Sequence, residues 1–275
     1  MWRRVLLLLL LLVVVVVVTC FSTLACPVVG LQRDILQVPL PVTSTGLHVV
    51  MQTPWGPSVR KQEFHDALLA TLRHPHVRLV HLMAESVPHQ IALYQDVVPA
   101  DLHDKLRTYN INKRISYADA VRYANTYLQN TTAILCNADV SIVGENWAQL
   151  TQAELAPYLF GLTRHEQPGC AMQCDCGRKF GGCHDCFAFV PPLSGGDALL
   201  ESISFRMGGL WGAENRFMWE VAKFNPGLRV TNPCHTFRTL HWHCVDQGRY
   251  RPTQDQRRIN GEGMSLEPWP SRWQH

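Results

Sequence analysis

The sequence predicts an α/β domain with a Rossmann-type mixed sheet flanked by helices, on three observations. Short apolar runs end in polar or Gly/Pro-rich residues, amphipathic helical patterns separate them, and one run closes on an acid. Alternation of this kind builds a sheet with helices packed against it. The acid is Asp139, in Asn137-Ala138-Asp139, behind the apolar run Thr132-Ala133-Ile134-Leu135-Cys136. Open α/β sheets bind ligands beyond the C-terminal ends of their strands. A carboxylate there can hold a divalent cation, and the cation can hold a diphosphate.

The elements follow in order. Residues 47–51 read as a first buried strand, closed by the loop Gln52-Thr53-Pro54-Trp55-Gly56-Pro57. Residues 61–73 read as a helix, with Phe64, Leu68 and Leu72 on one face. A second strand covers 77–83, and a helix over 117–128 turns Val121, Ala124 and Leu128 inward. The strand over 133–136 comes next. The second half is less regular: a Gly/Cys-rich loop over 170–186, a short strand over 187–190 closed by Pro191-Pro192, and a helix over 215–223. An extended segment begins at Arg229-Val230, and residues 240–244 carry His241-Trp242-His243.

The N-terminus is a targeting or anchoring segment. Trp2-Arg3-Arg4 precedes an apolar run from Val5 to Phe21. Seventeen helical residues span about 25 Å, the short end of a membrane crossing. Positive charge ahead of the run favours a cytosolic N-terminus and a lumenal remainder, in a type II arrangement in the Golgi or ER membrane. A cleaved signal peptide, and hence a secreted protein, is the competing reading. The domain plan is therefore 1–26 as anchor or signal, 27–46 as a short stem, 47–250 as the main domain and 251–275 as a tail. Net charge is +3 without a dense basic block, which argues against nucleic acid as a partner.

Five of the ten cysteines fall between 170 and 186. Outside the cytosol such clusters most often form disulfides. Cys174, Cys176, Cys183 and Cys186 also have the spacing of a zinc knuckle, and both readings stand at this point. Cys234 and Cys244 are a further candidate bridge. Asn130-Thr131-Thr132 is a glycosylation sequon.

Several motifs together resemble one family. Tyr117-Ala118-Asp119-Ala120 with Tyr123-Ala124-Asn125, then the strand ending in Asn137-Ala138-Asp139, then Leu162-Thr163-Arg164, resemble the nucleotide-diphospho-sugar transferase-like proteins of GT-A fold. So do Cys183-His184-Asp185-Cys186-Phe187-Ala188-Phe189, Gly212-Ala213-Glu214-Asn215-Arg216, Asn232-Pro233 and His241-Trp242-His243. Of the family's Ser-Gln-Asp-Ala-Trp-Ile-Phe segment only Asp185 and Phe189 are kept, and Asn137 replaces the first acid of the usual Asp-x-Asp.

The resemblance implies a glycosyltransferase (a hexosyl- or related transferase) using Mn²⁺ (or Mg²⁺), a nucleotide-sugar donor and a glycan or glycoprotein acceptor. Asp139, His241 and His243 are the expected metal ligands, since Mn²⁺ accepts imidazole and carboxylate and the two histidines alternate on one strand. Glu214 is the first candidate for a general base on the acceptor hydroxyl, with Asp185 its rival. Trp211 resembles an acceptor-side residue. Asn137, Asn215 and Arg216 are expected at the substrate, the last two at a helix start that favours phosphate. Arg60 and Glu63, on the first loop and helix, are expected to frame the nucleotide. The alternative is a disulfide-rich, secreted or membrane-anchored binding protein that keeps the fold without catalysis.

Overall fold

The computed structural model describes residues 46–53, 60–150, 152–168, 170, 183–208 and 212–243. The expected anchor, stem and tail lie outside them. Among the described residues no helix is long and apolar enough to cross a membrane.

Strand β1 (Leu47–Thr53) leads into α1 (Lys61–Arg73), which buries Phe64, Leu68 and Leu72 as its periodicity requires. Then come β2 (Val77–Ala84), α2 (Val87–Ala92), a π turn over Leu93–Val97, a 3₁₀ turn over Ala100–Lys105 and β3 (Leu106–Asn110). Helix α3 (Tyr117–Tyr127) starts on a capping box between Ser116 and Asp119, which satisfies the first free amides. Strand β4 (Thr132–Cys136) is buried along its whole length and is followed by β5 (Val140–Val143), a 3₁₀ turn over Asn146–Gln149 and α4 (Gln152–Leu155). Then come β6 (Tyr158–Thr163), β7 (His165–Glu166), β8 (His184–Phe189), α5 (Gly196–Ser202), α6 (Ala213–Phe224), β9 (Arg229–Thr231) and β10 (Arg238–His241).

The main sheet has seven strands in the order β3-β2-β1-β4-β8-β6-β9. Strands β1 to β4 run parallel, and β8 is antiparallel to both β4 and β6. A second sheet, β5-β10-β7, carries the end of the described chain. Two apolar layers cover the main sheet. One packs Leu68 and Leu72 of α1 with Trp147, Phe160 and Phe237; the other packs α3, α5 and α6. At Gly161 on β6 a Cβ would stand 2.3 Å from Met218 Sδ, so the missing side chain is what lets α6 seat this closely.

Three expectations change. His184-Asp185-Cys186 belong to a buried strand rather than to a loop, because β8 starts three residues earlier than its apolar run. Strand β10 ends at His241, so His243 follows the strand instead of alternating on it. Cys136 and Cys186 sit opposite one another across β4 and β8 and form a disulfide, and Cys183 is also disulfide-bonded. Neither Cys183 nor Cys186 is then a free thiolate for a zinc knuckle. Cys170 and Cys234 are disulfide-bonded too; Cys174, Cys176 and Cys244 lie outside the described residues.

Candidate active site

The strand order reverses about β1: β2 and β3 lie on one side and β4 on the other, all four parallel. Beyond the C-terminal ends of β1 and β4 this order opens the crevice in which such sheets hold ligands, and Asp139 stands there. The Asn137 amide still pairs with the Asp185 carbonyl at 2.9 Å, and the Val140 amide turns back onto the Asn137 carbonyl at 3.2 Å. Asp139 is thus the tip of a tight turn between the two sheets. The Trp242 amide donates to its carbonyl at 2.9 Å, which pins the end of β10 beside it.

From Asp139 a line of alternating charge runs both ways. On one side Arg60, at the start of α1, donates Nη2 to Asp139 Oδ2 and Nε to Glu63 Oε2, the latter at 2.7 Å. His243 Nδ1 meets the same Glu63 carboxylate at 2.9 and 3.0 Å. On the other side His241 Nε2 lies 3.2 Å from Asp139 Oδ2, while its Nδ1 lies 2.7 Å from Glu166 Oε2. Arg164 links Glu166 at 2.8 Å to Asp185 at 2.5 Å. Asn137 Nδ2 closes the line on Asp185 Oδ1 at 2.5 Å.

Electrostatics follow from these partners. Burial opposes charge on Asp139, but His241 and Arg60 hold its carboxyl well below the usual range. Burial alone would lower His241; its bonds to Asp139 and Glu166 raise it to about 9. Glu166 is held low by His241 and Arg164 against its burial. Glu214, in the first turn of α6, is treated differently. Burial first, then repulsion from Asp185, pushes its carboxyl up to about 8. It forms no salt bridge among the described residues, whereas Asp185 is committed to Arg164 and Asn137.

The donor chemistry fits a divalent cation in part. Both His241 and His243 have Nδ1 tied to a carboxylate, which leaves Nε2 as the ligand nitrogen and sets its orientation. Asp139 Oδ2 and His241 Nε2 are neighbours. The two imidazole rings are 5.8 Å apart, centre to centre. Among the described residues no three such side chains converge on one point.

The structure therefore brings together Arg60, Glu63, Asn137, Asp139, Asp185, His241 and His243. Glu214 stands within the field of Asp185. Asn215 lies against His184, and Arg216 pairs along its own helix with the buried Glu220. Trp211 lies outside the described residues. Glu166 is the participant that sequence reasoning missed. Its signal was the alternation Arg164-His165-Glu166 just beyond an apolar strand, which puts the two charges on one side.

No protein-family profile and no curated protein matches the sequence. Solved structures do match. HddC from Yersinia pseudotuberculosis is 10% identical, with 58% of this chain and 79% of that one covered at a TM-score of 0.38. The mannosyltransferase PcManGT from Pyrobaculum calidifontis, in complex with GDP-Man and Mn²⁺, is 15% identical, with 78% and 61% covered at 0.45. S. aureus TarS residues 1–349 is 11% identical, with 72% and 60% covered at 0.41. The likeness is one of fold, and the chain spans about three-fifths of the length of the last two.

Proposed function

We propose that the protein is a glycosyltransferase that moves a sugar from a nucleoside diphosphate to a hydroxyl of a glycan or protein, with Mn²⁺ (or Mg²⁺) at Asp139. The observation that carries this reading is the pair of carboxylate-anchored histidines beside Asp139 at the switch point of the sheet. Asp139 and His241 Nε2 would hold the cation, with His243 the nearest further donor and Glu166 and Glu63 orienting the two rings. When bound, the cation would neutralise the departing diphosphate. Arg60 supplies a guanidinium at the same place, suited to a phosphate oxygen.

Glu214 takes the acceptor proton. As the acceptor oxygen bonds to the sugar carbon, the bond from that carbon to the diphosphate breaks and the hydroxyl proton passes to the Glu214 carboxylate. A carboxyl poised at about 8 is protonated at neutral pH and becomes a base above it. Transfer is then expected to rise with pH through the range around 8 and to lose that dependence in Glu214→Gln, which a pH–rate profile reads directly. Asp185, held from both sides, fixes the wall of the site. The disulfide at Cys136 supports an oxidising, lumenal compartment, in keeping with a domain anchored by the N-terminal apolar run.

A second reading has its own observation. Arg60 already neutralises Asp139, as in a binding protein of this fold that works without metal or catalysis. One experiment separates the two: hydrolysis of a panel of UDP- and GDP-sugars by the full chain from an oxidising host, with and without Mn²⁺. Mn²⁺-dependent turnover establishes the transferase. A folded protein that neither binds nor hydrolyses any donor sinks it.

A further inference from the structure

Tyr117, the first residue of α3, is fully buried, yet its hydroxyl has no hydrogen-bond partner among the described residues. Its ring is fixed by three aromatic neighbours. It stacks on Phe217 at 4.5 Å between centroids and meets Phe187 and Phe205 edge-on at 5.7 and 5.5 Å. Phe217 is one helical turn along α6 from Glu214 and on the same face. Phe187 is two residues along β8 from Asp185, so the two share a face. The ring therefore sits against the supports of both acids. Burial raises the phenol well above its ordinary value, and the negative charges of Glu214 and Asp185 add to that.

A hydroxyl buried without a partner costs free energy that a phenylalanine would not. Packing explains the ring; it does not explain the oxygen. Asp185 already accepts on both oxygens, from Arg164 and Asn137. Among the described residues no side chain donates to Glu214.

We propose that Tyr117 is a positioning residue that acts through Glu214, its hydroxyl donating to the Glu214 carboxylate once that group ionises. The inference rests on the reading of Glu214 as the group that takes the acceptor proton. On ionisation the phenol becomes the donor that the carboxylate lacks, and the aromatic clamp sets the direction in which the remaining carboxylate oxygen faces. Among the described residues the other charges acting on Glu214 are Asp185 from β8 and Arg164 from the end of β6, together with its own amide in the first turn of α6. Tyr117 is the group from α3.

The test is the ionisation of Glu214 itself, followed by carboxyl carbon NMR of the full chain labelled at glutamate and assigned by the resonance lost in Glu214→Gln. Tyr117→Phe keeps the ring and removes only the oxygen. A donor lost from a carboxylate raises its midpoint, here by about one pH unit, a tenfold change in the ionisation ratio. Thermal stability at neutral pH is expected to be unchanged or higher, since the resting hydroxyl bonds nothing. A midpoint that stays in place, or a lowered melting temperature with no shift, overturns the proposal in favour of a purely structural tyrosine. If the midpoint moves while no donor sugar is ever transferred, the bond from Tyr117 to Glu214 stands and the transferase reading falls.

Discussion

Two histidine pairs in this molecule are treated in opposite ways. His48 on β1 and His81 on β2 are both buried in the middle of the sheet, with His48 Nδ1 3.0 Å from His81 Nε2 and His81 Nδ1 2.9 Å from the Tyr123 hydroxyl. Burial, then His48 and Arg107, push His81 down to about 3. His241 ends the central strand of the second sheet and His243 follows it, each against a carboxylate, and His241 rises to about 9 although it too is buried. Burial alone therefore does not decide the charge of an imidazole here; the partner does. His81 is neutral in the core. His241 is held ready to carry a proton or a cation, and it stands where the sheet opens.

The sharpest way to break this contrast is to remove the acid at its centre. Asp139→Ala takes away one candidate ligand and leaves Arg60 and His241 facing each other without the charge between them. Loss of an electrostatic group at the reacting centre costs about 10²–10³ in turnover, and that is the expected fall in Mn²⁺-dependent donor hydrolysis. Retention of full Mn²⁺-dependent activity in the variant would place the cation elsewhere. Glu166→Gln is milder. The glutamine still reaches His241 Nδ1 but carries no charge, so metal affinity should drop by about 10–100-fold, read as a higher Mn²⁺ concentration for half-maximal activity at unchanged donor preference. An unaltered Mn²⁺ requirement would reduce Glu166 to a packing role.

Much of the frame was legible because its signals are local. The 3.6-residue spacing of Phe64, Leu68 and Leu72 places α1 at its observed bounds, and the apolar runs of β1, β2 and β4 need no partner to be recognised. Asp139 was legible for the same reason, as an acid closing such a run. What stayed hidden depends on pairing across the chain. Strand β7 is two residues long, so the alternation of Arg164 and Glu166 is too short to stand out until β10 lies beside it. The disulfide of Cys136 links residues separated by 50 positions, and only the register of β4 against β8 selects Cys186 from a crowded cluster. Asp185 read as a loop acid because the strand signal begins at Phe187. Its commitment to Arg164, which leaves Glu214 as the proposed base, depends on where β6 ends.

The smallest effect concerns His81, and its sign follows from linkage. The unfolded chain protonates His81 below its ordinary 6.5, while the folded state resists until about 3. Between those values the unfolded state binds more protons, so stability falls as the pH falls, at up to about 1.4 kcal/mol per pH unit from this group. His81→Asn loses the bonds to His48 and Tyr123 and should be less stable at pH 7 by about 1–3 kcal/mol. Its further loss on acidification should nevertheless be shallower than in the wild type. The acid limb will not vanish, because His184 and His89 are also pushed down to about 4, in each case first by burial. Denaturant unfolding at pH 7 and pH 4.5 measures both quantities at once. Equal slopes in the two proteins would mean that His81 takes up its proton in the folded state, and the contrast between the two pairs would then be one of position rather than of charge.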